Sequence, residues 1–186
     1  MPPDLNIELR LATAADIPAL HQLIEISVRV LQRNDYTPEQ IDGALGTVLG
    51  LDTQLISDGT YFIAEARAAC VRHLAGCGGW SRRKTLFGSD DADVREPELL
   101  DPNTDAAKIR AFFIHPAFAR RGIGSKILEA SESAARFAGF ARFEMGATLT
   151  GVPLYLARGY EIVERIEVPL DNGCALPVIR MVKSDR

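Results

Sequence analysis

Cysteine is scarce in this chain: three residues in 186, Cys70, Cys77 and Cys174, with no C-x-x-C pair. Histidine is equally sparse, with His21, His73 and His115 far apart. Neither a disulfide framework nor a metal-ligand constellation can be assembled from these, so all six are expected to be structural and no metal is expected. Positive charge is not in excess either, since 21 Lys and Arg stand against 25 Asp and Glu for a formal charge of -4. A dedicated nucleic-acid binder needs a basic face, so that class drops out. Long apolar runs are missing too: no window approaches the ~20 residues of a membrane span. The opening "MPPDLNIELR" has neither the basic segment nor the apolar stretch of a signal peptide, which makes a cytoplasmic location without membrane partners the expectation.

What is present describes an ordinary globular chain, 47% hydrophobic and 25% charged. Its length suits one domain spanning 1–186. After a short strand, "NIELRLA", Thr13 precedes a run in which Ile17, Leu20, Leu23, Ile24, Ser27 and Val28 recur at helical spacing, with Asp16 placed to close a capping box. "YTPEQIDGALGTVL" repeats the signal through Thr37, Pro38 and Gln40. "TYFIAEA" and "LAGCGGWS" read as two antiparallel strands. Residues 82–105 then lose apolar periodicity and carry Asp90, Asp91, Asp93, Pro97 and Pro102, the mark of a long loop.

A strongly apolar strand, "AKIRAFFIHP", follows, then a helix, "SKILEASESAARFAGF", with Gly139 where a cap glycine belongs. "ARFEMGAT" reads as a strand and "GVPLYLARGYE" as a short helix ended by Gly159. "YEIVERIEVPL" and "LPVIRMVK" pair around Asp171, Asn172 and Gly173. The expected class is α/β or α+β, a mixed sheet of about seven strands flanked by about four helices.

The informative stretch is "ARRGIGSK", residues 119–126, between the apolar strand and the helix after it. A strand, a glycine turn and a helix start make an anion cradle, because unpaired N–H groups converge there and the helix dipole adds roughly half a positive charge. Gly122 and Gly124 let the backbone approach a ligand, and Arg120 and Arg121 add attraction for phosphate. A dinucleotide fingerprint would need glycine where Ile127 stands. A nucleoside-triphosphate loop would need its lysine one place earlier than Lys126.

"FFIHPAFARRGIGSKIL", followed about thirty residues later by "ATLTGVPLYLARGYE", resembles the GNAT superfamily of acyl-CoA-dependent N-acetyltransferases, and the element order resembles that fold along the whole chain. Gly122 and Gly124 match the family's glycine motif; Ala119 stands where the family has Gln or Arg. The resemblance implies a splayed mixed sheet and acetyl-CoA as cosubstrate. It implies that the N–H groups of Arg120, Arg121, Gly122, Ile123, Gly124 and Ser125 hold the pyrophosphate, and that Phe112, Phe113 and Ile114 pair with the pantetheine arm. Tyr155, in "YLARGY", matches the family's general acid, and a phenol of pKa near ~10 facing a thiol near ~8.5 acts best as a hydrogen-bond donor to the leaving sulfur. Thr148 stands where the family often carries asparagine.

The general base is less legible. Lys108 and Arg110 occupy positions where some relatives carry glutamate or histidine, which leaves Glu144 and Glu65 as candidates. For the acceptor, the resemblance implies a cleft near the first two helices and the third and fourth strands. There Tyr36 and Trp80 offer contact surface, and Arg82 or Arg83 could clamp a carboxylate. The implied activity is acetyl transfer to a small-molecule primary amine, with a homodimer as a candidate assembly. A non-catalytic acyl-CoA-binding regulator and a protein lysine or N-terminal acetyltransferase are the alternatives.

Overall fold

A computed structural model describes residues 6–68, 71–92 and 96–185. Cys70 and Asp93 therefore lie outside the described residues. The chain forms β1 (Asn6–Leu11), α1 (Ile17–Leu31), α2 (Pro38–Ala44), α3 (Thr53–Ser57), β2 (Tyr61–Ala68), β3 (Val71–Ser81), β4 (Ala107–Ile114), α4 (Ile123–Phe137), β5 (Arg142–Thr148), α5 (Val152–Ala157), β6 (Glu161–Pro169) and β7 (Ala175–Ser184). One sheet takes the strands in the order β1-β2-β3-β4-β5-β7-β6. All neighbours are antiparallel except β4 and β5, which makes the sheet mixed, as expected.

Local chemistry starts and stops the helices where the sequence signals it. The Thr13 N–H donates to Asp16 Oδ2 at 2.8 Å just before α1. Ahead of α2, the Gln40 N–H donates to Thr37 Oγ1 at 3.2 Å while Gln40 Oε1 accepts from the Thr37 N–H at 3.0 Å, a reciprocal capping box. Gly139, at φ +96°, ends α4, and the β6–β7 turn closes with the Leu170 N–H donating to the Cys174 carbonyl at 2.9 Å. Among the described residues there are five α-helices, against an expectation of about four. The additional one, α3, has five residues and is capped by Asp52, whose Oδ1 accepts from the Gln54 N–H at 3.0 Å.

Apolar side chains fill both sides of the sheet. Leu20, Ile24 and Val28 of α1 and Ile41 of α2 pack with Tyr61, Ile63 and Val178. On the opposite side Leu128 and Ala135 of α4 pack with Phe143, Met145 and Tyr155, while Ile123 and Ile127 meet Ala64, Ala66 and Ala75. The long segment after β3 folds back on itself: Lys84 and Thr85 donate N–H to Glu98 and Glu96, and Leu100 donates to Arg82. Leu86, Phe87 and Gly88 of its first limb lie against residues of β4 and β5.

Candidate active site

The site lies where the sheet comes apart. β4 and β5 pair only at their starts, Ala107 with Phe143 and Lys108 with Glu144. Beyond these the strands diverge, and residues 109–113 and 145–148 become the two walls of a cleft. Residues 48–50 and 86–88, with Val178 and Tyr155, complete its lining, and about 600 Å³ of unfilled space lies within it, mouth included.

β4 bends at this point. Between the pairs Cys77–Phe113 and Gly79–Arg110, β3 contributes one residue and β4 two, so Ala111 and Phe112 oppose Gly78 alone. Ala111 takes φ +57°, a left-handed conformation costing about 1–3 kcal/mol in a non-glycine residue. The buried Tyr61 hydroxyl helps hold it by donating to the Ala111 carbonyl at 2.8 Å. Gly78 is required because a Cβ there would sit 2.7 Å from the Phe112 ring, and Gly79 because its Cβ would lie 2.3 Å from the Thr60 carbonyl oxygen. The two glycines of "CGGW" are thus the counterpart of the bulge.

From Ile114 the chain passes through a single 3-10 turn, Pro116–Phe118, into the glycine turn. The Ala119 N–H donates back to Pro116. Arg120 and Gly122 adopt φ +63° and +76°, and α4 begins at Ile123. Among the described residues no acceptor takes the N–H groups of Arg120, Arg121, Gly122, Ile123, Gly124 or Ser125. These donors and the start of a 15-residue helix make a cradle for a polyanion. The Arg120 and Arg121 side chains are exposed beside it. Gly124 is pressed against α5, where a Cβ would be 3.0 Å from Leu154, and Arg158 donates Nε–H to Ser125 Oγ at 3.2 Å.

α5 carries Tyr155 into the cleft. Its ring stands edge-on between Phe112 (centroids 6.2 Å apart, 75°) and Tyr160 (5.9 Å, 68°). Burial pushes the phenol above its usual range, so it stays protonated. Its hydroxyl has no hydrogen-bond partner among the described residues and remains available to a ligand. Thr148 also lines the cleft, and its Oγ1 accepts the Gly151 N–H at 3.2 Å, which fixes the turn into α5.

The remaining expectations fare differently. Phe112 and Phe113 line the cleft, Phe113 facing the core, while Ile114 lies beyond it and donates its N–H to Ser27 Oγ of α1 at 3.2 Å. Glu144 is not a free base. Burial disfavours its charged form, but hydrogen bonds from Lys108 and Arg180 outweigh that and hold the carboxyl below its usual range. Glu65 of β2 is committed to Arg10 of β1 and Arg72 of β3. Trp80 is no cleft wall: it is 3% exposed and packs edge-on against Phe140 at 5.9 Å in the α4-side core.

Arg83 is held bidentate by Asp58 at 2.8 Å to each oxygen, and Arg82 lies over the Trp80 ring at 5.6 Å, so neither reaches the cleft as a carboxylate clamp. Tyr36 is buried, donating to the Pro177 carbonyl and accepting from the Leu149 N–H, both at 2.8 Å. It secures the diverging end of β5 and touches no open space. Arg110, set aside in the sequence as no base, proves to be a brace: it is 3% exposed and pairs with Asp52 at 3.0 Å. Its guanidinium also donates to the carbonyls of Thr85 (3.1 Å) and Gly88 (2.6 Å), pinning the 86–88 wall. Its place inside an apolar strand run was the available signal.

A family model for an acetyltransferase (GNAT) domain matches residues 57–162, more than half of the chain. No curated protein matches the sequence. Among solved structures, a GCN5-related N-acetyltransferase from Rhodopseudomonas palustris is similar at TM-score 0.67 and 20% identity, over 95% of this chain and 94% of that one. The PaiA N-acetyltransferase of Thermoplasma acidophilum, in complex with coenzyme A, gives 0.61 and 14% over 96% and 99%. YncA, a putative acetyltransferase of Salmonella typhimurium with its cofactor acetyl-CoA, gives 0.60 and 18% over 96% and 94%.

Proposed function

Because the chain belongs to the GNAT family of acetyltransferases, we propose that it moves the acetyl group of acetyl-CoA to the primary amine of a small molecule. The observation that carries this reading is the row of six N–H groups at residues 120–125 with no acceptor among the described residues, set against α5, whose Tyr155 lines the β4–β5 cleft. Structural neighbours include complexes with CoA and acetyl-CoA, and the residues here suit that ligand. The N–H cradle, with Arg120 and Arg121, would take the pyrophosphate. The bulged strand at Ala111 and Phe112 would meet the pantetheine arm, and the apolar cleft would take the thioester.

Acetyl-CoA supplies the activated acyl carbon. In the net reaction a C–N bond forms to the amine, the C–S bond breaks, and the amine's proton is lost as the thiol is regenerated. Tyr155, kept neutral by burial, donates its hydroxyl hydrogen bond to the departing sulfur. Among the described residues that line the cleft, Tyr155 and Arg110 are the ionisable side chains. Neither is suited to take the amine's proton, so the acceptor enters as the free base, and kcat/KM rises with pH toward the amine's own pKa. The cleft is also lined by Val48, Leu49 and Met145, which favours an acceptor with an aliphatic or aromatic body over one recognised by a carboxylate clamp. Release of CoA thiol from acetyl-CoA across aryl, alkyl, acid-bearing and polyamine acceptors tests the reading. Turnover is expected with apolar-bodied amines, and acetyl-CoA binding without turnover on any amine would sink it.

A further inference from the structure

Phe87 lies in the long loop after β3, in a stretch that sequence periodicity leaves unassigned, yet its ring lines the β4–β5 cleft. It rests on Gly146 of β5, where a Cβ would be only 3.1 Å from its Cδ1. The absence of a side chain at 146 makes room for this ring.

Both sides of Phe87 are fastened. Arg110 grips the carbonyls of Thr85 and Gly88, the residues two before and one after it. Ser89 donates its N–H to Thr47 at 2.7 Å and its hydroxyl to Gly46 at 2.6 Å. A Cβ on Gly50 would meet Ser89 at 2.8 Å, so the segments around 46–50 and 85–89 are in direct contact. The ring is therefore carried on a braced wall.

Tyr155 packs with the α4-side core, while Phe87 packs against the core under α1 and α2. The two close the cleft from opposite faces of the sheet. We propose that Phe87 is a specificity-determining residue that sets the length of the acyl group accepted, by filling the space that an acyl chain longer than acetyl would occupy. This rests on the acyl-transfer reading above: with the sulfur beside Tyr155, the acyl tail points to the opposite face, where Leu86, Phe87 and Val178 offer only apolar surface.

The experiment is calorimetric binding of CoA, acetyl-CoA and butyryl-CoA to the wild type, Phe87→Ala and Phe87→Leu, which requires no acceptor. The wild type is expected to bind acetyl-CoA about tenfold tighter than butyryl-CoA. Removing the ring should admit two more methylenes and shift that ratio roughly tenfold toward butyryl-CoA, with Phe87→Leu between and CoA affinity constant. An unchanged ratio with CoA still bound overturns the proposal and leaves the acyl-transfer reading standing. Failure of the wild type to bind CoA overturns both. If Phe87→Ala loses CoA affinity through misfolding, the Phe87→Leu ratio decides by the same criterion.

Discussion

Replacing Tyr155 by phenylalanine removes one oxygen from a ring whose packing partners stay in place, and the geometry separates its two consequences. The ring keeps its edge contacts with Phe112 at 6.2 Å and Tyr160 at 5.9 Å. The hydroxyl has no protein partner among the described residues, so folding stability should change by less than about 0.5 kcal/mol. The chemical consequence is larger. A hydrogen bond to a developing charge contributes about 1.5–3 kcal/mol, and each 1.36 kcal/mol is tenfold, so kcat should fall by about 10²-fold. Affinity for acetyl-CoA should stay within about twofold, because the pyrophosphate cradle is untouched. Burial raises the phenol's pKa, so no Tyr155 ionisation should appear in the wild-type pH–rate profile up to the ordinary phenol value. Steady-state thiol release, calorimetry and a melting curve on the purified variant read all of these. A kcat within threefold of the wild type would refute the assignment, and so would a melting temperature lowered by more than roughly 4 °C, which would make the hydroxyl structural.

Tyr36→Phe should do the reverse. It strips the part-buried Leu149 N–H and the buried Pro177 carbonyl of their shared partner, costing about 1–3 kcal/mol of stability in a denaturation midpoint, with acetyl-CoA affinity preserved. Gly79→Ala drives a Cβ to 2.3 Å from the Thr60 carbonyl oxygen. A loss of about 1–3 kcal/mol is expected, read as a melting temperature lowered by roughly 2–4 °C per kcal/mol, and an unchanged melting curve would mean that β2 yields freely. Glu144 predicts a pH dependence. Burial opposes its charge, but hydrogen bonds from Lys108 and Arg180 hold its pKa below the ordinary glutamate value of 4.5. Its contribution is therefore complete above that value and lost as pH falls through the lower folded value. Melting temperature should drop as pH decreases below 4.5, and Glu144→Gln should flatten that decline.

The sequence carried those features whose causes are local. The glycine turn was legible because Gly122, Gly124 and the helix start adjoin in the chain, and the capping boxes of α1 and α2 because each closes within four consecutive residues. α3 escaped because five residues give no periodicity. The substrate-side expectations failed for a different reason. β3 is buried on both faces from Ala75 to Ser81, runs beside a bulged β4 and stops at Ser81, so strand alternation could not say which way Trp80, Arg82 or Arg83 pointed. Glu144 read as a free carboxylate because both of its cations lie 36 residues away in the chain. Phe87 and Arg110 acquire their roles only when the loop after β3 folds over the divergent strands, and no spacing rule expresses that.

The claim on which the account turns is that the backbone of residues 120–125 grips the cosubstrate's pyrophosphate. Titrating CoA into ¹⁵N-labelled protein and following amide resonances tests it directly. The account predicts saturable shifts centred on Arg120, Arg121, Gly122, Ile123, Gly124 and Ser125, extending to Ala111 and Phe112. Saturation by CoA with those amides unmoved, or no binding at all, would contradict it.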